Sequence, residues 1–184
     1  MPELTKPRLV LLNGPPAAGK STVAKKVLER NGASGRCVVL EYDMFADAAG
    51  RLVAPQGEIG TRIWKAALPA IIAAARAYLQ LGFSVLIVMT YERRIKGKLE
   101  RLLVAEEPVF VTLMPPSWDA SEERRRSRVR DTKELEEFDW ESHRQFYDEL
   151  VDMARAGEFD DVMDTSDMDL DMAADRIAKH LGLR

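Results

Sequence analysis

The chain has a single cysteine, Cys37, so no internal disulfide can form, and a domain of this size does not need one. A reducing compartment is the expected setting. Cys37 opens an apolar run and reads as a small core residue rather than a nucleophile. There are only two histidines, His143 and His180, and neither has a Cys or His partner at metal-binding spacing. Both are expected as surface residues on helices. Neither sign of charge dominates: a net charge of −3 gives no general attraction to nucleic acid or to an anionic membrane. The most apolar stretch, residues 66–89, is broken by Pro69, Arg76, Gln80 and Gly82, which argues against a membrane span. The opening Met1-Pro2-Glu3-Leu4 lacks the apolar core of a leader. No internal repeat and no low-complexity linker is present. A soluble cytoplasmic protein is expected. With 184 residues, 46% of them apolar and 31% charged, the chain suffices for one globular domain over 1–184.

Residues Gly14-Pro15-Pro16-Ala17-Ala18-Gly19-Lys20-Ser21 fit G-x-x-x-x-G-K-S/T at every fixed position. The apolar run Arg8–Asn13 precedes them, and helical spacing follows, with Val23 and Val27 four apart. Strand, loop, helix is the context in which this motif binds phosphate. Loop amides and the helix N-terminus form a concavity for anionic oxygens, and small residues let phosphates approach the backbone. Lys20 is expected on the β and γ phosphates of ATP, and Ser21 on Mg²⁺. Gly14, Ala17, Ala18, Gly19, Lys20, Ser21 and Thr22 form the expected nucleotide site. Without nucleotide, Lys20 is expected in solvent.

Strand and helix patterns alternate, which implies an α/β fold with a mainly parallel sheet. Expected strands are Arg8–Asn13, Cys37–Tyr42, Ser84–Thr90, Val109–Met114 and Asp160–Asp164. Expected helices are Lys20–Arg30, Thr61–Leu81, Lys96–Ala105, Ala120–Asp131, Asp139–Ala156 and Met168–Leu181. Pro69 should kink the second helix or mark a restart, and Gly82 should cap it. Phe45–Gly60 lacks periodicity and reads as a substrate-side loop.

In open parallel sheets, ligands bind beyond the carboxyl ends of the strands. Asp43 follows the second strand, where a carboxylate would take a proton from an attacking hydroxyl or hold a water on Mg²⁺. The plainer alternative is a helix-capping or turn aspartate; Glu41 and Asp47 are competitors for the role. Arg124, Arg125, Arg126, Arg128 and Arg130 crowd one short stretch. Arginine's planar fork suits phosphate oxygens. Helical spacing groups Arg124 with Arg128, and this pair is the expected catalytic one; the others read as solvated. A wholly solvated face and a nucleic-acid stripe are the alternatives, but no aromatic residues interleave the arginines. Glu58 and Arg62 open the long helix and, with Phe45, are candidate contacts for a small acceptor. Trp118 and Trp140 read as packing residues. After the third strand the chain runs Val88-Met89-Thr90, with no aspartate to organise Mg²⁺.

Taken in order, the Gly14–Ser21 loop, Asp43, the arginine cluster and Asp164-Thr165-Ser166 resemble the small P-loop kinases of the nucleoside-monophosphate-kinase-like group, especially chloramphenicol phosphotransferase. That family's paired aspartates after the third strand are missing here. Gly57-Glu58-x-x-x-Arg62 is also similar to shikimate kinase, whose glycine run after the third strand is absent. The resemblance implies a three-layer α/β/α fold with a five-stranded parallel sheet in the order 2-3-1-4-5 and a helical lid at about 119–138. It implies adenine between the lid helix and Thr165-Ser166, and Asp43 as general base. The expected activity is ATP- and Mg²⁺-dependent phosphorylation of a hydroxyl on a small molecule. A polynucleotide 5′-hydroxyl kinase and a non-catalytic nucleotide-binding regulator are the alternatives.

Overall fold

The computed structural model describes residues 6–31, 36–49, 58–128, 139–166 and 168–183. Nothing is described of the side chains at 58–61, 63, 64 and 128, and the expected loop at 50–57 and the expected lid at 129–138 lie outside the described residues. In chain order the elements are β1 (Leu9–Asn13), α1 (Lys20–Asn31), β2 (Cys37–Glu41), α2 (Tyr42–Ala48), α3 (Glu58–Gln80), β3 (Ser84–Val88), α4 (Arg93–Leu102), β4 (Val109–Met114), α5 (Trp118–Arg128), α6 (Trp140–Arg155), β5 (Asp161–Asp164) and α7 (Leu170–His180).

The strands form one sheet in the order β2-β3-β1-β4-β5, every pairing parallel, as the family resemblance implies. β1 lies at the centre and is buried along its whole length. Its side chains alternate between two cores. Leu9 and Leu11 pack with Ile71 and Ile72 of α3, Leu99 of α4, and Leu150 and Met153 of α6. Val10 and Leu12 pack with Val23 and Val27 of α1 and Ala173 and Ile177 of α7. A strand covered on both faces must be apolar throughout, which is why β1 reads as an unbroken run rather than an alternating one. Each Leu or Ile so buried contributes about 1.5–3 kcal/mol.

Helix ends follow local chemistry. Asp139 caps α6 by accepting from the Ser142 N–H at 3.0 Å, and Asp169 caps α7 through the Met172 N–H at 2.7 Å. The hydrogen bonds from Ser142 hold the Asp139 carboxyl below its ordinary range. Gly82, at φ 89°, closes α3: its N–H donates to Leu79 O and the Phe83 N–H to Tyr78 O, the paired bonds of a left-handed cap.

Several expectations need correction. β2 ends at Glu41 rather than Tyr42, and residues 42–48 form α2 where a loop is expected from Phe45, so Asp43 and Phe45 stand on a helix. α3 begins at Glu58 and runs through Pro69 without a restart. Pro69 is on the exposed side, where water can serve the carbonyl it leaves free. α4 starts at Arg93, three residues early, and a short 3₁₀ turn at Val104–Glu106 takes its expected last turn. Among the described residues no helix is long and apolar enough to cross a membrane.

Candidate active site

β1 ends at the P-loop, and the loop's shape rests on three residues with positive φ. Gly14 has φ 144° and lies so close to β4 that a Cβ there would stand 2.5 Å from Leu113 O. Gly19 has φ 97°, and Ala17, which is not a glycine, has φ 65°. Backbone in that region is sparsely populated and concentrates at functional sites. The Ala18 N–H donates to Pro15 O at 3.1 Å, and the Val23 N–H to Gly19 O at 2.9 Å, joining the loop to α1. Lys20 does not simply extend into solvent as expected. Its Nζ donates to Gly14 O at 2.8 Å and to Pro15 O at 3.0 Å, folding the ammonium back over its own loop.

Asn13, fully buried at the end of β1, was not legible as a site residue. Its Nδ2 donates to Tyr91 O, and its Oδ1 accepts from the Tyr91 N–H, both at 3.0 Å. This two-way bond fixes the segment after β3 against the P-loop. Thr90, in that segment, donates through Oγ1 to Gly14 O at 3.3 Å.

A cavity of about 370 Å³ opens over the loop. Its walls are residues 16–21, Glu41 and Asp43 from the β2–α2 junction, residues 88–90 after β3, and Arg125 of α5. Glu41 accepts from the Ser21 hydroxyl at 3.2 Å. Asp43 lies in the first turn of α2, where a carboxylate is favoured by the helix dipole, and faces the cavity. Lys20, Ser21, Asp43 and one arginine thus converge on one space.

The family model described as an AAA domain matches residues 9–151. The chain belongs to that family. Its fold is that of solved P-loop kinase structures. The tunicamycin resistance protein of Deinococcus radiodurans superposes with a TM-score of 0.62 at 19% identity, over 96% of this chain and 97% of that one. An APS kinase of Mycobacterium tuberculosis, in complex with AMPPNP and APS, gives 0.62 at 17% identity, over 96% and 98%. A sugar kinase from Janibacter sp. HTCC2649 gives 0.57 at 18% identity, over 96% and 95%. Comparison with curated proteins gives no match.

The arginines of this AAA domain divide differently from the sequence expectation. Arg125, expected in solvent, lines the cavity. Arg124 points to β5 instead: Nη1 donates to Thr165 Oγ1 at 2.7 Å and Nη2 to Thr165 O at 3.3 Å. Arg126 pairs with Glu122 and covers the Trp140 ring at 4.3 Å. The helix itself explains the choice. Trp118 and the fully buried Ser121 mark the inward face of α5, and Arg125 continues that face at helical spacing.

The remaining candidates are more dispersed. Thr22 is exposed on α1 and does not line the cavity. Thr165 and Ser166 stand at the end of β5, where Ser166 binds Asp164 through both its N–H and its hydroxyl. Those bonds, with Arg124 nearby, hold the Asp164 carboxyl below its ordinary range. Phe45 packs on the core, and Arg62 is exposed near the start of α3.

His143 corrects a further expectation. It is 5% exposed, on the α6 stripe that continues through Tyr147, Leu150 and Met153. Its ring stacks on Trp140 at 6.2 Å and meets the Trp118 ring edge-on at 5.3 Å. Burial, then the positive charges of Arg125 and Lys20, lower its pKa from 6.5. The two tryptophans pack together, as expected, and they brace the Arg125-bearing helix against α6. His180 is partly buried and bonds Asp161 at 2.7 Å, beside Arg176 on the same carboxylate.

Proposed function

We propose that the chain is an ATP-dependent phosphotransferase that moves the γ-phosphoryl group of ATP to a hydroxyl of a small molecule. The observation that carries this proposal is the convergence of Lys20, Ser21, Asp43 and Arg125 on one cavity of about 370 Å³, a size suited to phosphates and a small acceptor. The whole chain, 1–184, is taken as one kinase domain, with α5 as the described part of its lid.

Loop amides and Lys20 bind the β and γ phosphates once the ammonium leaves the Gly14 and Pro15 carbonyls. Asp43 accepts the proton of the acceptor hydroxyl. The acceptor oxygen forms a bond to the γ phosphorus, the bond to the bridging β–γ oxygen breaks, and ADP leaves. Arg125 takes the place expected of Arg124 as a cation over the transferring group, where developing charge is greatest, and Arg128, whose side chain lies outside the described residues, remains a candidate beside it. Arg124 ties the lid helix to Thr165 at the end of β5, and Thr165 and Ser166 are the proposed adenine-side residues. Arg62, Glu58 and Phe45 remain the acceptor-side candidates.

Mg²⁺ suits the donor set, because Ser21 offers a hydroxyl oxygen with a carboxylate beside it and hard cations take oxygen ligands. When bound, it offsets the charge of the β and γ phosphates.

A small acceptor is favoured over a polyanion. The cavity that holds Lys20 is also lined by Glu41 and Asp43, which repel a strand of phosphates, and the chain's net charge is −3. The sugar kinase and APS kinase of similar fold support the same choice.

The test is transfer of label from γ-labelled ATP to sugars, nucleosides, hydroxyl-bearing antibiotics and 5′-OH oligonucleotides. Label should enter a small hydroxyl compound. Better transfer to oligonucleotides, falling steeply with salt, would make the chain a polynucleotide kinase. Nucleotide binding with transfer to none of these would favour a regulator.

A further inference from the structure

We propose that Glu41 is the carboxylate of a divalent-cation site completed by Ser21. The proposal rests on the phosphotransferase reading of the same cavity, and it concerns the acid that the segment after β3 does not supply.

Three observations lead to it. First, β3 is followed by Met89 and Thr90, and Thr90 donates its hydroxyl to Gly14 O at 3.3 Å; the first carboxylate beyond them, Glu92, pairs with Arg94 at 3.6 Å and does not line the cavity. Second, the parallel register pairs Glu41 with Val88, which sets the last residue of β2 level with the last residue of β3. A carboxylate lost from one strand end is thus present on the neighbouring strand at the same height above the sheet. Third, Glu41 already touches the P-loop through the 3.2 Å bond from Ser21 Oγ. The hydroxyl can offer a lone pair to a cation while its O–H still donates to Glu41.

Charge makes the same point. Glu41 lines a cavity built to receive phosphates, yet among the described residues it has no Lys or Arg within ion-pair distance. A bare carboxylate there repels the ligand. A divalent cation between carboxylate and phosphates turns that repulsion into attraction. Mg²⁺ takes few protein ligands and keeps several waters beside substrate phosphates, so one hydroxyl and one carboxylate, bound directly or through a metal-held water, are sufficient. Asp43, two residues on and in the first turn of α2, keeps the separate role of taking the acceptor's proton.

The experiment uses Mn²⁺ as the probe, counted by electron paramagnetic resonance on the full chain with saturating AMPPNP. AMPPNP affinity is measured separately in EDTA. Glu41→Gln should weaken Mn²⁺ binding by about 10- to 100-fold, the usual loss when a group orienting a metal is removed. AMPPNP binding in EDTA should hold or tighten, because a repulsive charge is gone. Glu41→Asp should recover part of the Mn²⁺ affinity, and it serves in place of the Gln variant if that variant does not fold. Asp43→Asn should stay within about threefold of wild type, well inside the loss expected for a metal-orienting group. Wild-type Mn²⁺ affinity in Glu41→Gln, or an equal loss in Asp43→Asn, would overturn the assignment. Failure of the wild-type chain to bind AMPPNP at all would instead overturn the nucleotide reading beneath it.

Discussion

Replacing Asn13 with Ala should cost about 2–5 kcal/mol of folding stability. Asn13 is 0% exposed, and it satisfies both the N–H and the C=O of Tyr91, each at 3.0 Å. Each of these bonds contributes about 0.5–1.5 kcal/mol net. The larger effect is what the substitution leaves behind. Tyr91 is 2% exposed, so its two backbone groups lose their partner where bulk water cannot reach. A buried group stranded in this way costs about 1–3 kcal/mol. A water entering the vacated space recovers part of that, which sets the lower end of the range. Folded domains hold only about 5–15 kcal/mol in total. For a chain of this size the loss corresponds to a fall in Tm of about 4–20 °C. Asn13→Asp should be no better, because it keeps an acceptor for the N–H but sets a carboxylate against the Tyr91 carbonyl. The assay is urea unfolding followed by tryptophan fluorescence, with the slope m expected to stay constant. A loss under about 0.5 kcal/mol, the size of a surface change, would refute the clamp.

Three more outcomes follow from the geometry. Gly14→Ala forces a Cβ to within 2.5 Å of Leu113 O, so the P-loop must move; kcat/KM for ATP should fall about 10²-fold, and an unchanged value would show that the loop absorbs the clash. Arg125→Ala should lower kcat by about 10²–10³-fold while Arg126→Ala, whose side chain is engaged with Glu122 and Trp140, changes it little; equal effects would remove Arg125 from the reaction. His143 should make stability acid-sensitive. Its folded pKa lies below 6.5, so the unfolded chain binds the proton first, and stability present above pH 6.5 is lost as pH falls toward the folded value. The slope contributed by this one group cannot exceed about 1.4 kcal/mol per pH unit, and His143→Phe should remove it; an unchanged slope in urea unfolding at pH 5–7 would assign the sensitivity elsewhere.

The P-loop was legible because its spacing is fixed by phosphate chemistry and its flanks by burial. The strands were legible because β1 and β3, covered on both faces, have no alternation to obscure them. α2 was hidden: its residues 42–48 are short, Glu41 makes no side-chain cap, and a seven-residue segment gives periodicity little room. The arginines show a limit of another kind. Spacing of four says which residues share a face but not which face turns inward. The small, polar Ser121 held that information, since a buried serine at 121 puts 118 and 125 on the same inward side. The lack of a metal-spaced partner for His143 says nothing of its burial, whereas its place at the head of the Tyr147, Leu150 and Met153 stripe does. Glu41 and Asn13 act through contacts between segments distant in sequence, to Ser21 and to Tyr91, which pattern along the chain does not report.

We propose phosphoryl transfer in the P-loop cavity, with Asp43 taking the acceptor's proton. Its most direct test is single-turnover transfer from γ-labelled ATP by wild type and Asp43→Asn, on the acceptor that the label screen identifies, with ATP affinity measured alongside. Asp43→Asn should slow the transfer step by about 10²–10⁴-fold and leave ATP affinity nearly unchanged. Transfer at the wild-type rate in Asp43→Asn would contradict the account.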